Sequence, residues 1–178
     1  MFPIALFMDA ETNVKDTFVA LLYPTTQIIV GRHYADHKFM AVELHVFIQN
    51  SRVPSRELWQ QAIEQLGFPT VLDASLDVRN GAGSSRTIFR GQSKSFEFYL
   101  EPTSDIVSTY PHVAVRVGGR DMCATFRWGA DLMECGAALS AAAALAYIAD
   151  GVYFYPDDDI VYDAAEAVTA TEGDLKQI

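Results

Sequence analysis

Two histidines with the spacing of a metal site occur early in the chain. His33 and His37 stand four residues apart, with Asp36 between them. On a helix this spacing would place both imidazoles on one face, where they could bind zinc. However, Tyr34 follows His33 where a zinc-protease helix has a glutamate, and Gly31 next to a predicted strand indicates a loop. We therefore expect a solvated loop here, with no metal and no cofactor bound.

Three consecutive carboxylates, Asp157, Asp158 and Asp159, form the densest run of charge in the sequence. A calcium-binding loop spaces its ligands at alternate positions and needs a glycine at the bend, and this run has neither feature. We therefore interpret the run as a solvated turn after Pro156. Together with Asp163, the three aspartates form our predicted contact patch for a cationic partner.

A third group of polar side chains lies on a predicted β-hairpin. In residues 113–117 and 122–128, successive side chains alternate between a face predicted to be buried and a face predicted to be exposed. Gly118-Gly119 between the two segments suits a two-residue turn. The polar face of this hairpin carries four side chains that could grip an anionic group of a small ligand: His112, Arg116, Thr125 and Arg127. The alternative is that this face is the solvated side of an ordinary antiparallel sheet.

Signs of catalysis are weak. No serine or cysteine occurs within the signature of an activated nucleophile. The two cysteines, Cys123 and Cys135, fall in a predicted strand and in the first turn of a predicted helix, where we expect buried free thiols. The segment from Gly81 to Arg86 lacks the Gly-Lys-Ser/Thr ending of a phosphate-binding loop. We therefore expect that the protein is not an enzyme.

Two principal helices, at residues 55–66 and 131–149, should position these groups. In the first, Ser55 can cap the N-terminus, apolar residues recur at i, i+3, i+4 and i+7 from Trp59, and Gly67 ends the helix. In the second, Asp131 can act as the cap. Most of its other residues are apolar or small, so we expect this helix to be buried on several sides.

Between and around these helices the sequence predicts β structure. Strands are predicted at residues 42–48, 96–101, 113–117, 122–128 and 152–155. The fold class is therefore α+β with a mainly antiparallel sheet, in a single domain over residues 1–178. With further strands at residues 2–8, 28–30 and 70–72 and a short helix near residues 14–22, residues 1–73 read β-α-β-β-α-β, which favours a ferredoxin-like N-terminal part. Residues 73–94 are predicted to form a long surface loop, with a short strand near Thr87 to Phe89.

The charge of the chain is strongly uneven. The formal net charge is −10, and from Trp128 onward ten acidic residues face a single base, Lys176. Nucleic acid is a poor partner for such a surface, because phosphate binding depends on lysine and arginine. A basic protein, for example a toxin domain, is a suitable partner. The alternative is that the acidity only keeps the protein soluble.

The chain shows no typical membrane or secretion signal. Its longest uncharged apolar run, Cys135 to Ala149, is shorter than the roughly 20 residues that a membrane-spanning helix needs. Residues 1–8 are apolar but lack the basic start of a signal peptide, and Asp9 follows directly. We therefore expect no membrane contact and a cytoplasmic location.

Several segments between about residue 55 and residue 156 together carry a resemblance. They are Leu66-Gly67-Phe68-Pro69, Phe96-Glu97-Phe98-Tyr99 with Glu101-Pro102, Phe126-Arg127-Trp128-Gly129, Glu134-Cys135, and Asp150-Gly151-Val152 with Pro156. They resemble segments of a group of small acidic bacterial proteins of unassigned molecular function. Some proteins of this kind serve as immunity proteins, which bind and block a cognate toxin. The resemblance implies no catalytic residues, and it implies nothing for residues 1–50.

Three hypotheses follow for the function. The first is a protein-binding protein, most concretely an immunity protein that neutralises a bacterial toxin through its acidic last third. The second is a small-ligand-binding or regulatory domain that uses the polar sheet face. The third, with less support, is an enzyme that uses scattered carboxylates or the group of His112, Arg116 and Arg127.

Overall fold

The computed structural model of the protein describes residues 41–178. The strands in this part are β1 (Val42–Ile48), β2 (Thr70–Leu72), β3 (Ala82–Phe89), β4 (Gln92–Pro102), β5 (Met122–Trp128), β6 (Val152–Tyr155) and β7 (Ile160–Tyr162). The α-helices are α1 (Arg56–Gln65), α2 (Thr103–Thr109), α3 (Ala114–Val117), α4 (Leu132–Ala149) and α5 (Ala164–Leu175). Short 3₁₀ turns cover Asn50–Arg52, Pro111–Val113 and Pro156–Asp158.

The seven strands form one sheet in the order β2-β3-β4-β5-β1-β6-β7, and every neighbouring pair is antiparallel. β1 lies inside the sheet and is buried on both faces over residues 44–48. Leu44, Val46 and Ile48 contribute to the larger core, whereas Phe47 contributes to a second core on the opposite face. The predicted α+β class with a mainly antiparallel sheet is therefore confirmed.

The strands beside β1 are not those that the predicted ferredoxin-like arrangement requires. Such an arrangement would need partners for residues 42–48 among the earlier strands of the chain. In the structure the neighbours of β1 are β5 and β6, both later in the chain, and β2 pairs with β3. The other parts of that prediction, the strands at residues 2–8 and 28–30 and the helix near residues 14–22, lie outside the described residues.

Helices α1, α4 and α5 cover one face of the sheet, with α4 in contact with both of the others. Ser55 caps α1 through its hydroxyl, which accepts from the Leu58 N–H, and Asp131 caps α4 by accepting from the Met133 N–H. The Trp59 indole Nε1 donates to the Ala141 carbonyl at 2.8 Å and joins the two helices. Both predicted principal helices are therefore confirmed, and α4 is buried along most of its length.

Within residues 41–178, α4 is the one helix long and apolar enough to cross a membrane. Most of it is nevertheless enclosed by the sheet, α1 and α5. Its apolar character is therefore that of a core helix. The two thiols lie on opposite sides of the sheet, with Cys135 of α4 in the larger core and Cys123 of β5 in the second core. Both are buried and free, as predicted.

The predicted loop at residues 73–94 is wrong in its second half, where the prediction had only a short strand near residues 87–89. Residues 82–89 form β3, which pairs along its whole length with β4. Arg90 and Gly91 connect the two strands with φ angles of 49° and 76°, as a tight two-residue hairpin turn requires. The buried positions of β3 are Ser85, Thr87 and Phe89. Because two of these three are small and polar, the alternation typical of a half-buried strand is hidden.

The predicted strand at residues 113–117 is also wrong, because this segment is helical. Val113 and Val117 are buried at a spacing of four residues, which matches one face of a helix, while Val115 between them is 91% exposed. The alternation of valines fits a strand equally well, so the pattern alone does not distinguish them. We call residues 103–117, which comprise α2, a 3₁₀ turn and α3, the flap. Its apolar side chains cover the second core on the β1–β5–β6 part of the sheet.

A close contact between α4 and the sheet supplies a stability prediction. A Cβ atom at Gly136 would lie 2.5 Å from Cζ of Phe89, so Gly136→Ala should force a shift in the core. We expect the free energy of unfolding to fall by about 1–3 kcal/mol in urea titrations. Gly173→Ala in α5 is the matched control, because a Cβ there meets nothing within 4 Å. An equal effect of the two substitutions would contradict the close packing of α4.

Candidate functional site

Four polar side chains lie side by side on the flap-covered face of the sheet, and we call them the polar cluster: Glu43, His45, Thr125 and Arg127. They come from β1 and β5, whose register places His45 opposite Thr125 and Glu43 opposite Arg127. Because paired residues of antiparallel strands point to the same face, the register alone brings these groups together. Thr125 and Arg127 were predicted as ligand-face residues, whereas Glu43 and His45 were not.

His45 is one of two fully buried members of the polar cluster, with no exposed surface. Its Nδ1 lies 3.0 Å from the Thr125 hydroxyl, which is itself fully buried. Its Nε2 lies 3.4 Å from Glu43 Oε1, an ion-pair distance that is longer than a good hydrogen bond. The imidazole stacks on Phe154 with ring centroids 6.0 Å apart and lies 6.1 Å from the ring of Tyr110 in the flap.

Glu43 is the electrostatic centre of the polar cluster. The His45 imidazole beside it and the Arg127 guanidinium, whose Nε donates to Glu43 Oε2 at 3.0 Å, hold the pKa of this carboxyl at about 2 against the opposing effect of burial. Arg127 also lies over the ring of Tyr99, 5.5 Å from its centroid. Glu43 is therefore a carboxylate at physiological pH, and its two oxygens face the His45 imidazole and the Arg127 guanidinium.

The flap closes the polar cluster from above through Tyr110. Burial, followed by the negative charges of Glu43 and Asp157, raises the pKa of the Tyr110 phenol. The ring of Tyr110 contacts Phe154 at 5.2 Å between centroids. Tyr110 therefore links the polar cluster to the 3₁₀ turn at Asp157, and the two sites that were predicted separately are neighbours in the fold.

The acidic run forms the predicted turn, in the hairpin that joins β6 to β7. Asp157 and Asp159 are exposed and Asp158 is partly exposed. Asp159 adopts a left-handed conformation with φ of 54°, and its carboxylate lies 2.6 Å from Nε2 of His112 in the flap. Asp163 is exposed but has a structural role as the N-cap of α5, where it accepts from the Ala165 and Glu166 N–H groups.

The four predicted ligand-face residues are divided between two places. Thr125 and Arg127 lie on β5, whereas His112 and Arg116 lie on the helical part of the flap. Arg116 faces Glu166 of α5, with Nη2 3.9 Å from Oε2. The prediction that all four share one polar sheet face is therefore wrong, because it depended on the incorrect strand at residues 113–117.

Burial limits the reactions that the side chains of the polar cluster could carry out. The distance between Thr125 and His45 would suit a nucleophile and its base, but neither side chain has exposed surface. Burial raises the pKa of the nearby Cys123 thiol far above its usual range, so it stays protonated. Among residues 41–178, no group of three or more His, Cys, Asp or Glu side chains has the arrangement of a metal site. The His33 and His37 pair lies outside these residues.

Sequence reasoning missed Glu43, His45 and Tyr110 as members of one site. The alternation within β1 identifies Glu43 and His45 as polar-position residues, but it cannot say which strand lies beside them. That pairing joins residues that are 80 positions apart in the chain. Tyr110 gives no local signal, because its role comes from the flap folding across the sheet.

Comparison with known proteins supplies no relative: no protein-family model, curated protein or solved structure matches the chain.

The depressed pKa of Glu43 predicts part of the acid sensitivity of the fold. A carboxyl whose pKa is about 2 in the folded protein and 4.5 ordinarily stabilises the fold fully above pH 4.5 and loses this contribution as the pH falls towards 2. The difference in unfolding free energy between the wild type and Glu43→Gln should therefore shrink over this range in urea titrations at stepped pH. A difference that stays constant with pH would contradict the assignment.

The buried pair of Thr125 and His45 gives a second stability prediction. Thr125→Val leaves His45 Nδ1 without its partner in the core, so unfolding should become easier by about 1–3 kcal/mol. The double variant with His45→Leu removes both polar groups and should recover part of this loss. Strictly additive effects in this cycle, measured by urea unfolding, would show that the two side chains do not interact.

Proposed function

We propose that the protein is a protein-binding protein that neutralises a bacterial toxin domain, as immunity proteins do, by docking a basic surface of the toxin. The observation that carries the proposal is the concentration of charge in one part of the fold. Residues 150–175 contain eight acidic residues and no lysine or arginine. They form β6, the acidic turn, β7 and α5, which are consecutive and in mutual contact.

The carboxylates that would meet the partner lie within residues 157–166, and we call them the acidic face: Asp157, Asp158, Asp159, Asp163 and Glu166. The turn is fixed because β6 and β7 pair on either side of it. Asp163 and Glu166 are fixed by the capping box of α5, in which Glu166 accepts from the Asp163 N–H. A rigid array of carboxylates is suited to binding, because little conformational freedom is lost on association.

The sign of the charge decides which partner is suitable. A surface rich in carboxylates attracts a cationic protein over about a Debye length and speeds the first encounter. The same surface repels nucleic acid and anionic lipid. A toxin domain with a basic active site or a basic nucleic-acid-binding surface fits this requirement. The proposal places the encounter in the cytoplasm and assigns no catalytic step to this chain.

A small-ligand site on the polar sheet face is the weaker alternative. His45 and Thr125 are fully buried under the flap, and Arg127 is paired with Glu43. A ligand would have to replace these contacts before reaching the polar cluster. At the acidic face a partner would replace only the exposed pairs of Asp159 with His112 and of Glu166 with Arg116, because four of its five residues are exposed and Asp158 is partly exposed.

Removal of charge from the acidic turn should slow association with the partner. We expect Asp157→Asn, Asp158→Asn and Asp159→Asn together to reduce the association rate roughly two- to tenfold at low salt and to flatten its dependence on salt. The partner is recovered from the native host at low ionic strength, and its toxicity is measured by growth on expression. Stopped-flow kinetics across a salt series then compare the wild type with the triple variant.

The matched control removes three negative charges elsewhere: Glu57→Gln, Glu64→Gln and Glu97→Gln. Glu57 and Glu64 lie on α1, and Glu97 lies on β4, all with exposed side chains. The control should associate nearly as fast as the wild type. Equal effects of the two triple variants would show that association depends on the net charge of the protein and not on the acidic face. A partner that is itself acidic would contradict the proposal.

A further inference from the structure

We propose that the outer edge of β3 is a second docking surface, where an extended segment of a partner protein adds as a strand and places a lysine or arginine near Asp73 and Asp77. We call residues 82–86, the part of β3 that carries this surface, the β3 edge. It lies at the opposite end of the strand order from β7 and the acidic turn. The inference therefore goes beyond the proposed function and does not depend on it.

β3 is longer than the strand on its outer side. It begins at Ala82, but β2 pairs only with residues 87–89 and ends at Leu72. Within residues 41–178, β2 and β4 are the only strands that pair with β3. The β3 edge therefore has a neighbouring strand, β4, on one side only.

The register of the β3–β4 hairpin shows which backbone groups are free. In a two-residue hairpin the residues that flank the turn, here Phe89 and Gln92, exchange two backbone hydrogen bonds, and bonded and non-bonded pairs alternate from there. Ser84 and Arg86 fall in non-bonded pairs, so their N–H and C=O groups point away from β4. Within the described residues these four groups have one hydrogen bond, in which the Ser85 hydroxyl donates to the Arg86 carbonyl at 3.5 Å.

The side chains of the β3 edge leave these backbone groups accessible. Edge strands in proteins are usually protected by lysine, proline, a bulge or a covering element. Residues 82–85 are Ala-Gly-Ser-Ser, and the pairing of β3 with β4 runs without a bulge. Ala82, Ser84 and Arg86 are exposed. A free and unprotected row of backbone donors and acceptors is the feature that a strand-adding partner recognises.

A cavity of about 340 Å³ lies beside the β3 edge, next to the end of β2. It is lined by residues 82–86, by Phe98 of β4 and by residues of the loop after β2 that include Asp73, Leu76 and Asp77. An added strand would occupy the space between the β3 edge and this loop. There its backbone can pair with β3 while its side chains meet the loop.

The charges around this cavity favour a basic segment. Hydrogen bonds from the Ser75 N–H and hydroxyl lower the pKa of Asp73, and hydrogen bonds from Asn80 lower the pKa of Asp77. Both carboxyls are therefore ionised at neutral pH. Arg86 supplies one positive charge against these two negative charges. A segment with one lysine or arginine therefore balances the charge of the cavity, whereas an acidic segment adds repulsion.

The first test uses the full-length wild-type protein and a fluorescent peptide of about seven residues, which is long enough to span the β3 edge as a strand. The peptide alternates threonine and valine and carries one central lysine. Two further peptides have the same side chains, with N-methyl groups on one or the other alternate set of backbone amides. A strand that pairs along one edge uses only one of these sets. In fluorescence anisotropy we expect one N-methylated peptide to bind roughly tenfold more weakly than the other.

Proline substitutions test the position of the added strand. Ser84→Pro removes an outward N–H group of the β3 edge without removing a hydrogen bond to β4, so the affinity for the unmethylated peptide should fall roughly fivefold. The matched control is Ser93→Pro in β4. Ser93 also lies in a non-bonded pair, and the pairing of β4 with β5 begins only at Glu97, so this variant removes an equally free N–H group away from the β3 edge. It should bind the peptide as the wild type does.

A charge variant tests the preference for a basic segment. Asp73→Asn keeps an oxygen acceptor for Ser75 and removes one negative charge from the cavity. The affinity for the lysine peptide should fall roughly two- to fivefold, because the lost ion pair is exposed. The affinity for a peptide with a central glutamine should stay unchanged.

Three results would overturn the proposal. Equal binding of the two N-methylated peptides, or equal effects of Ser84→Pro and Ser93→Pro, would show that no strand adds to the β3 edge. A peptide with a central glutamate that binds as tightly as the lysine peptide would contradict the basic partner. A concentration-dependent dimer in size-exclusion chromatography that Ser84→Pro abolishes would assign the β3 edge to a second copy of this chain. The comparison of the N-methylated peptides needs no variant, so it decides the question even where Ser84→Pro fails to fold.

Discussion

Helix α4 lies close against the sheet because the residues along its contact surface are almost all alanine, glycine or serine. The space that these small side chains leave is filled from the sheet and from α1 by aromatic rings. Phe126 is at the centre, with Phe98, Phe96 and Trp59 at centroid distances of 5.4, 5.6 and 6.0 Å. A small-residue helix on an aromatic sheet reaches the dense packing of a protein interior. The positions of α1 and α5 on either side of α4 depend on this contact.

The opposite face of the sheet is organised differently, and its organisation follows from the first face. Once Leu44, Val46 and Ile48 are committed to the larger core, the alternate residues of β1 must point the other way. These include Glu43 and His45, which therefore need polar partners and a cover. β5 supplies Thr125 and Arg127 as partners, and the flap supplies the cover. A polar cluster at this position is thus a consequence of burying a sheet on both faces.

The helices could be predicted from sequence because their signals are local. Ser55 and Asp131 as caps, and Gly67 as a stop, each act within one turn of the chain. The flap could not be predicted in the same way, since valines at positions 113, 115 and 117 satisfy strand and helix periods alike over so short a segment. Only the end of β3, near residues 87–89, was predicted as a strand, because Ser85 and Thr87 occupy buried positions where apolar residues are the usual signal.

The candidate site was predictable only in part, for a related reason. The acidic turn and Asp163 are visible as charges in the sequence, and the structure places them as a turn and a helix cap. Charge counting cannot show that His112 and Arg116 lie against Asp159 and Glu166, because these pairs join distant parts of the chain. Likewise, the alternation within β1 marks Glu43 and His45 as polar but leaves open that β5 would lie beside them.

Each of the two cores contains one buried thiol, and the reactivity of that thiol reports whether the core has opened. Cys123 lies under the flap and Cys135 lies in the first turn of α4, with the sheet between them. Burial keeps the pKa of both thiols high, at about 12 for Cys135, so alkylating reagents meet a protonated and inaccessible sulfur in the folded state. Loosening of the flap alone would make Cys123 reactive while Cys135 stays protected. The order in which the two thiols are alkylated therefore records which side of the sheet opens first.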